Sequence, residues 1–255
     1  MGNPDLSLTG KVAIVTGGRR GIGRTMALAF AEAGADVAVC DRVVEDGQLE
    51  QVAEEIKNLG RRSLAIRADT GKRLDVEEMV SKAAAHFGKF DILLNNAGIL
   101  IRSPILDLSE EDWDQLMDVD LKGYFLCSQA VGKKMVKQKK GCIINITTQF
   151  AFKTGPGFGA YSIAKAGVVM MTRVFARELG PYAVRVNSIA PGMAKTEFSR
   201  ATWEDPKALE QMEASLPLGR VAMPGDLVGA ALFLASDASE YLTGNTLLVE
   251  GGALA

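Results

Sequence analysis

The sequence has one histidine, His86, and three widely spaced cysteines, Cys40, Cys127 and Cys142, among 255 residues. A single imidazole cannot build a His-based metal site or a Ser–His–Asp triad by itself, and no Cys-x-x-Cys spacing is present, so no metal is expected. The cysteines read as buried thiols of a reducing compartment. His86 lies beside Phe87 in a helical pattern and reads as structural. No apolar run reaches the ~18 residues a membrane span needs, and the N-terminus does not read as a signal peptide. The opening MGNPDL begins like a myristoylation site, but Leu6 stands where Ser or Thr is wanted. These absences lead us to expect a cytoplasmic protein. Charge of one sign is missing too. With 29 Lys and Arg against 31 Asp and Glu, the net charge is −2, and no global basic field recruits nucleic acid. The local exception is GKKMVKQKKG, at the end of an expected helix where cations suit the dipole and water solvates them. The alternative for that cluster is a patch for an acidic partner.

What the chain has in quantity is apolar sequence, 47% of the total, enough for one compact α/β unit with a large core. Short β-branched runs alternate with amphipathic stretches. The strand candidates are KVAIVT (11–16), DVAVCD (36–41), SLAIRAD (63–69), FDILLNN (90–96), CIINIT (142–147), VRVNSIA (184–190) and TLLVEG (246–251). Helical stretches such as LDVEEMVSKAAAHFG and AYSIAKAGVVMMTRVFARELG separate them. The strands lack strict alternation, which implies a sheet covered on both faces. Seven such units predict an α/β, Rossmann-like, doubly wound fold: a seven-stranded parallel sheet with helices on both faces and right-handed crossovers. No repeat, low-complexity tract or linker divides residues 1–255, so a single domain is expected. Residues 193–217 form the one long interruption. Ligands in this fold class lie at the carboxyl ends of the strands, so the insert is placed to close over a substrate as a lid.

The stretch VAIVTGGRRGIGRTMALAFAEAG runs strand, glycine turn, helix. Gly17, Gly21 and Gly23 let the backbone bend and approach a pyrophosphate, and the helix that follows presents free N–H groups and a positive dipole end. The spacing is G-x-x-x-G-x-G, not the G-x-G-x-x-G of many dinucleotide folds. Asp41 ends the second strand twenty positions after Gly21, where a carboxylate accepts from the adenosine ribose hydroxyls and repels a 2′-phosphate. This favours NAD over NADP, with NADP kept open because Arg19, Arg20 or Arg42 can pair with a 2′-phosphate. Downstream, AYSIAKAG sets Tyr161 and Lys165 four positions apart, one helical turn, so the two share a face.

With TGGRRGIG, NNAG (95–98), YSIAK and PG (191–192) in this order, nearly the whole chain resembles the short-chain dehydrogenase/reductase family. The resemblance implies that Thr16, Gly17, Gly21, Ile22 and Gly23 form the cofactor-phosphate turn, with Arg20 inside it. It implies that Asp69 contacts adenine, with Thr70 beside it. Asn95, Asn96, Ala97 and Gly98 fall in the segment that lines the adenosine side and steadies the central sheet. Pro191, Gly192, Ala194 and Thr196 fall in the turn that holds the nicotinamide carboxamide. Tyr161 matches the general acid/base, and Lys165 matches the residue that binds the nicotinamide ribose and favours the tyrosinate. A neighbouring ammonium stabilises a phenolate, so Lys165 is expected to move Tyr161 from ~10 toward working pH.

Two positions depart from the family pattern. Thr148 stands where the family places a serine that bonds the substrate oxygen; it keeps the hydroxyl but adds a methyl that restricts χ1. Thr147 is the fallback, though its register turns it to the other face of a strand. Asp120, in MDVDLKGYF, stands where the family has an asparagine that links a water to the lysine in a proton relay. Asp120 either holds such a water or simply pairs with Lys165. Candidate pocket residues are Gln149, Phe150, Phe152 and Phe158, with Met193, Phe198 and Trp203 from the insert; a place in the core is the alternative for each. Arg102 is suited to bind a substrate carboxylate bidentately. NNAGILIRSPILDLSEEDWDQLM and MPGDLVGAALFLAS are similar to stretches of the family's sugar-acid members, such as the gluconate 5-dehydrogenases. Three functions follow. The leading one is an NAD-dependent dehydrogenase interconverting a secondary alcohol and a ketone, of a polyol or sugar-acid type, assembled as a homotetramer through long helices at about 109–138 and 157–179. The second is an NADPH-dependent 3-oxoacyl-thioester reductase whose lysine cluster meets an acidic carrier. The third is a non-catalytic nucleotide-binding protein, against which the intact Tyr161–Lys165 pair argues.

Overall fold

The computed structural model describes residues 5–255; the first four residues of MGNPDL lie outside them. Seven parallel strands form one sheet: β1 (Val12–Thr16), β2 (Asp36–Asp41), β3 (Ser63–Arg67), β4 (Ile92–Asn95), β5 (Gly141–Ile146), β6 (Val184–Pro191) and β7 (Thr246–Val249). Their spatial order is β3-β2-β1-β4-β5-β6-β7. The chain therefore winds outward from β1 in one direction, returns, and winds outward in the other, so the connections leaving the paired strands β1 and β4 run opposite ways and leave a crevice at their carboxyl ends. The expected strands were each found, 36–41 with both ends as expected and the others with ends shifted by at most two residues. Five of them are buried along most of their length; the two edge strands are the exceptions, β3 with only Ser63 and Ile66 buried and β7 half-exposed, with Leu248 47% exposed. Edge strands carry one unpaired side, so the both-faces-covered pattern fails there.

The helices are α1 (Gly21–Glu32), α2 (Gln48–Asn58), α3 (Arg73–Phe87), α4 (Glu110–Met117), α5 (Gly123–Gln138), α6 (Gly159–Leu179), α7 (Arg200–Trp203), α8 (Pro206–Ala214) and α9 (Val228–Ala235). One face of the sheet is covered by α1, α2 and α9, through Met26, Phe30, Leu49, Ile56 and Leu234. The other is covered by α3, α5 and α6, through Met79, Phe87, Val131, Met135 and Ala176. Each fully buried side chain of this size contributes ~1.5–3 kcal/mol relative to exposure. No helix among the described residues is long and apolar enough to cross a membrane.

Two helices place the chemistry. The first begins at Ser109, whose hydroxyl accepts from the Asp112 amide at 3.1 Å, with Glu110, Glu111 and Asp112 in its first turn. It continues through α4 and α5, but residues Asp118–Lys122 between them form a π turn. Such a bulge carries one residue more per turn and recurs at functional sites. Here it holds Asp120 fully buried. The second is α6, which follows Pro156 and Gly157 and ends where Gly180 and Pro181 stop it. It carries Tyr161 and Lys165 on its buried side.

Candidate active site

A cavity of about 380 Å³ opens at the carboxyl ends of the strands. At one end its floor is the turn from β1 to α1. Gly17 takes φ 64°, and a Cβ on Gly23 would stand 2.1 Å from the Gly17 carbonyl oxygen, so turn and helix touch with no side chain between them. No side chain caps the first turn of α1, which leaves the positive end of its dipole available to phosphate. Gly17, Arg20, Gly21 and Ile22 line the cavity; Thr16 and Gly23 shape it from behind. Thr16 is buried, and its hydroxyl accepts from the Asn96 and Ala97 amides at 2.9 and 3.1 Å. Asn96 completes this tie by donating to the Thr16 and Gly17 carbonyls, both at 3.1 Å.

Asn95 turns the other way. Its Nδ2 donates to Ser128 Oγ at 2.9 Å and Asn145 Oδ1 at 2.8 Å, and Asn145 Nδ2 donates to Thr172 Oγ1 at 2.9 Å. This buried chain pins β4 and β5 to α5 and α6. At the far end of the cavity stand Asp41, Asp69 and Thr70. Asp41 Oδ1 accepts from the Val43 amide and Asp69 Oδ1 from the Gly71 amide, each at 3.0 Å. A cradle that a side chain would fill, an uncapped helix start and a carboxylate at the end of β2 together fit an extended dinucleotide.

At the opposite end, Thr148 follows β5 and faces α6. Thr148, Tyr161 and Lys165 are all buried. Lys165 Nζ lies 5.8 Å from the centre of the Tyr161 ring. The Thr148 hydroxyl accepts from the Phe150 amide at 3.3 Å and acts on the Tyr161 phenol. Thr147 instead commits its hydroxyl to the Lys165 carbonyl at 3.0 Å. Asp120 stands directly beside Lys165. Its Oδ1 is 3.0 Å from Lys165 Nζ, and its Oδ2 accepts from the Ile99 amide at 2.9 Å. Gly98 makes room, since a Cβ there would stand 2.8 Å from Asp120 Oδ1.

Lys165 has two further partners. Its Nζ donates to the Tyr124 hydroxyl at 2.9 Å and to the Ile146 carbonyl at 3.3 Å, and the Tyr124 hydroxyl donates to that same carbonyl at 2.9 Å. The ammonium is therefore surrounded by protein on three sides. Tyr124 was missed by the sequence reading. Its signal was its place four residues after Asp120 in the same helix.

The electrostatics correct one expectation. Lys165 does draw the Tyr161 phenol down, but burial is the larger effect and raises it, with Asp120 and Tyr124 adding to the rise. The phenol therefore sits above its ordinary value, not below it. Burial likewise raises the Asp120 carboxyl against the pull of Lys165, and holds the Tyr124 phenol well above its usual range.

The remaining wall is apolar. Phe150 and Phe158 stack with ring centres 4.3 Å apart, and the Phe198 ring lies 6.3 Å from that of Tyr161. The Arg102 guanidinium sits 4.5 Å from the centre of the Phe158 ring and donates to the Thr202 hydroxyl at 2.6 Å. Met193, Ala194 and Thr196 continue the wall below Pro191 and Gly192. Three expected wall residues are elsewhere. Gln149 is buried at the start of the short turn after Thr148 and does not reach the cavity. Phe152 is 46% exposed and off the wall. Trp203 is also off the wall, and donates its indole N–H to the Thr196 carbonyl at 2.9 Å. Of the insert 193–217, residues 193–202 reach the cavity and α8 does not, because α8 packs beyond α7.

Comparison with known proteins agrees with this arrangement. A family model described as enoyl-(acyl carrier protein) reductase matches residues 17–253. The chain is 41% identical, over 95% of its length and 98% of the relative, to the 3-oxoacyl-[acyl-carrier-protein] reductase FabG of Staphylococcus epidermidis. It is 40% identical, over 98% of its length and 97% of the relative, to the 2-dehydro-3-deoxy-D-gluconate 5-dehydrogenase of Escherichia coli. The crystal structure of a gluconate 5-dehydrogenase from Burkholderia cenocepacia, in complex with NADP and tartrate, superposes with a TM-score of 0.94 at 34% identity, covering 98% of each chain.

Proposed function

The chain belongs to the short-chain dehydrogenase/reductase family, and from that premise we propose that it interconverts a secondary alcohol and a ketone on a small sugar acid, using NAD(H). Membership makes it an NAD(P)-dependent oxidoreductase acting on CH–OH groups. The observation that carries the finer reading is one continuous cavity with a dinucleotide cradle at one end, Tyr161 and Thr148 at the other, and Arg102 fixed above them.

When bound, the nicotinamide ring supplies the acceptor or donor for the hydride. The protein supplies the rest. Thr148 orients the substrate oxygen. In oxidation the Tyr161 phenolate takes the hydroxyl proton as the carbinol carbon loses its hydride; in reduction the phenol returns that proton to the ketone oxygen. Lys165 places a cation beside the phenolate, and Asp120, Tyr124 and Ile146 hold that cation in place. Phe150, Phe158 and Phe198 keep water from the reacting carbon. The guanidinium of Arg102 offers two parallel N–H donors to a carboxylate, geometry that an ammonium cannot supply. Asp41 repels a 2′-phosphate, which supports NAD(H).

Residues 193–202 act as the substrate lid of a single domain. The exposed apolar side chains of α5 and α6 support a homotetramer, and three buried free cysteines support a reducing, cytoplasmic location. The likeness to a 3-oxoacyl-[acyl-carrier-protein] reductase supports a second reading, thioester reduction with NADPH. The two separate in one assay. Oxidation of gluconate, 2-dehydro-3-deoxygluconate and related acids with NAD is expected to exceed reduction of an acetoacetyl thioester with NADPH. The opposite order would overturn the sugar-acid reading.

A further inference from the structure

At the ribose end of the cavity Arg19 stands between two carboxylates. It lies in the turn after β1 and is only 9% exposed. Its Nη1 pairs with Asp46 Oδ2, and its Nε is 3.8 Å from Asp41 Oδ1. Asp46 comes from the loop between β2 and α2, where its Oδ1 also accepts from the Gln48 amide at 3.1 Å. The Arg19 Nε–H is buried and has no hydrogen-bond partner among the described residues.

An arginine cannot shed its charge, and its planar fork matches a phosphate as well as it matches a carboxylate. A buried guanidinium with a free N–H, beside the carboxylate that reads the ribose, is thus a ready partner for a 2′-phosphate. Asp46 already occupies it. Arg20 and Arg42 are exposed, so water and salt weaken their reach. Arg19 is the cation of this group in the less polar position, and its pairing decides how much positive field the ribose site presents.

We propose that Asp46 is a cofactor-specificity residue: by holding Arg19 it withholds the guanidinium from a 2′-phosphate and keeps the site selective for NAD(H). It acts through Arg19 and is a positioning residue. The inference rests on the dehydrogenase reading and assigns to Asp46 part of the selectivity that Asp41 would otherwise carry alone. Removing the Asp46 charge frees Arg19, which also screens Asp41, so a 2′-phosphate becomes tolerable with Asp41 in place.

The test is binding of NADH and NADPH to the full chain, followed by nucleotide fluorescence, for the parent, Asp46→Asn, Asp46→Glu, Arg19→Gln and the Asp46→Asn/Arg19→Gln pair. Asp46→Asn should tighten NADPH at least tenfold and leave NADH within about threefold. Asp46→Glu should keep the parent preference. The tightening should vanish in the Arg19→Gln background, which isolates the coupling between the two residues. Unchanged NADPH affinity in Asp46→Asn, with NADH binding retained, overturns the proposal. So does tightening that persists without Arg19, because Asp46 would then act by its own charge. A parent chain that binds neither nucleotide would overturn the dehydrogenase reading and this inference together.

Discussion

At the scale of single side chains, the proposed chemistry rests on Tyr161 and Asp120. Tyr161→Phe keeps the ring, whose centre lies 6.3 Å from that of Phe198, but deletes the proposed proton carrier. Turnover should fall by ~10²–10⁴-fold with NADH affinity nearly unchanged; steady-state rates and a fluorescence titration of the same variant check both halves. Asp120→Asn carries a signed prediction. Oxidation needs the phenolate, so its rate rises with pH through the Tyr161 titration. Asp120 is one of the groups that raise that titration. Removing its charge should move the rising limb of kcat/KM to lower pH, and a limb that moves up would contradict the electrostatic account. The site was partly legible before any coordinates. Residues of all three motifs line one cavity: Gly17, Arg20, Gly21 and Ile22 of TGGRRGIG, Asn96, Ala97 and Gly98 of NNAG, and Tyr161 and Lys165 of YSIAK. The Tyr161 shift was not legible, because sequence shows the neighbouring lysine but not the burial that outweighs it. Gln149 was expected on the wall because it is polar and next to Thr148; it is as buried as Thr148 but opens the short turn and does not line the cavity.

Turns and lids set the next scale. The cradle depends on the contact of α1 with the β1 turn, and Gly23→Ala would place a methyl 2.1 Å from the Gly17 carbonyl. Overpacking of this kind typically costs ~1–3 kcal/mol. The variant should melt several degrees lower and bind NADH at least tenfold more weakly, measurable by thermal unfolding and titration. The proposed lid is tied to Arg102 through the bond to Thr202. Thr202→Val removes that acceptor without touching Tyr161, so KM for an acidic substrate should change severalfold while kcat moves less; an equal fall in kcat would place Thr202 in the chemistry instead. Element type and order were readable from the β-branched runs, since parallel strands buried on both faces leave a strong signal. The π turn at Asp118–Lys122 was not, because a run read as one helix over 109–138 carries no mark for one extra residue per turn. Nor did the sequence mark β7 as an exposed edge.

For the molecule as a whole, cofactor choice and assembly are the measurable consequences. The proposed contact of Asp41 with the ribose predicts NAD(H) binding at least tenfold tighter than NADP(H), ~1.4 kcal/mol, by parallel titrations. On α6, Ile163, Met170 and Val174 are 50%, 55% and 46% exposed and fall on one stripe, with Phe125 of α5 alongside. The parent should sediment at four times its 27.2 kDa chain mass, and Ile163→Glu should dissociate it. The strand order has a further consequence, for the chain as it leaves the ribosome. β1 is made early yet lies inside the sheet, with β2 on one edge and β4 on the other. Its second edge stays open until Ile92 emerges, 76 residues after Thr16. At ~5–20 residues per second this leaves the edge uncovered for about 4–15 s of synthesis. Over that interval VAIVT is an apolar strand with one edge unpaired, and the nascent chain is most exposed to wrong pairing, or to capture by a chaperone, before the sheet closes on β4.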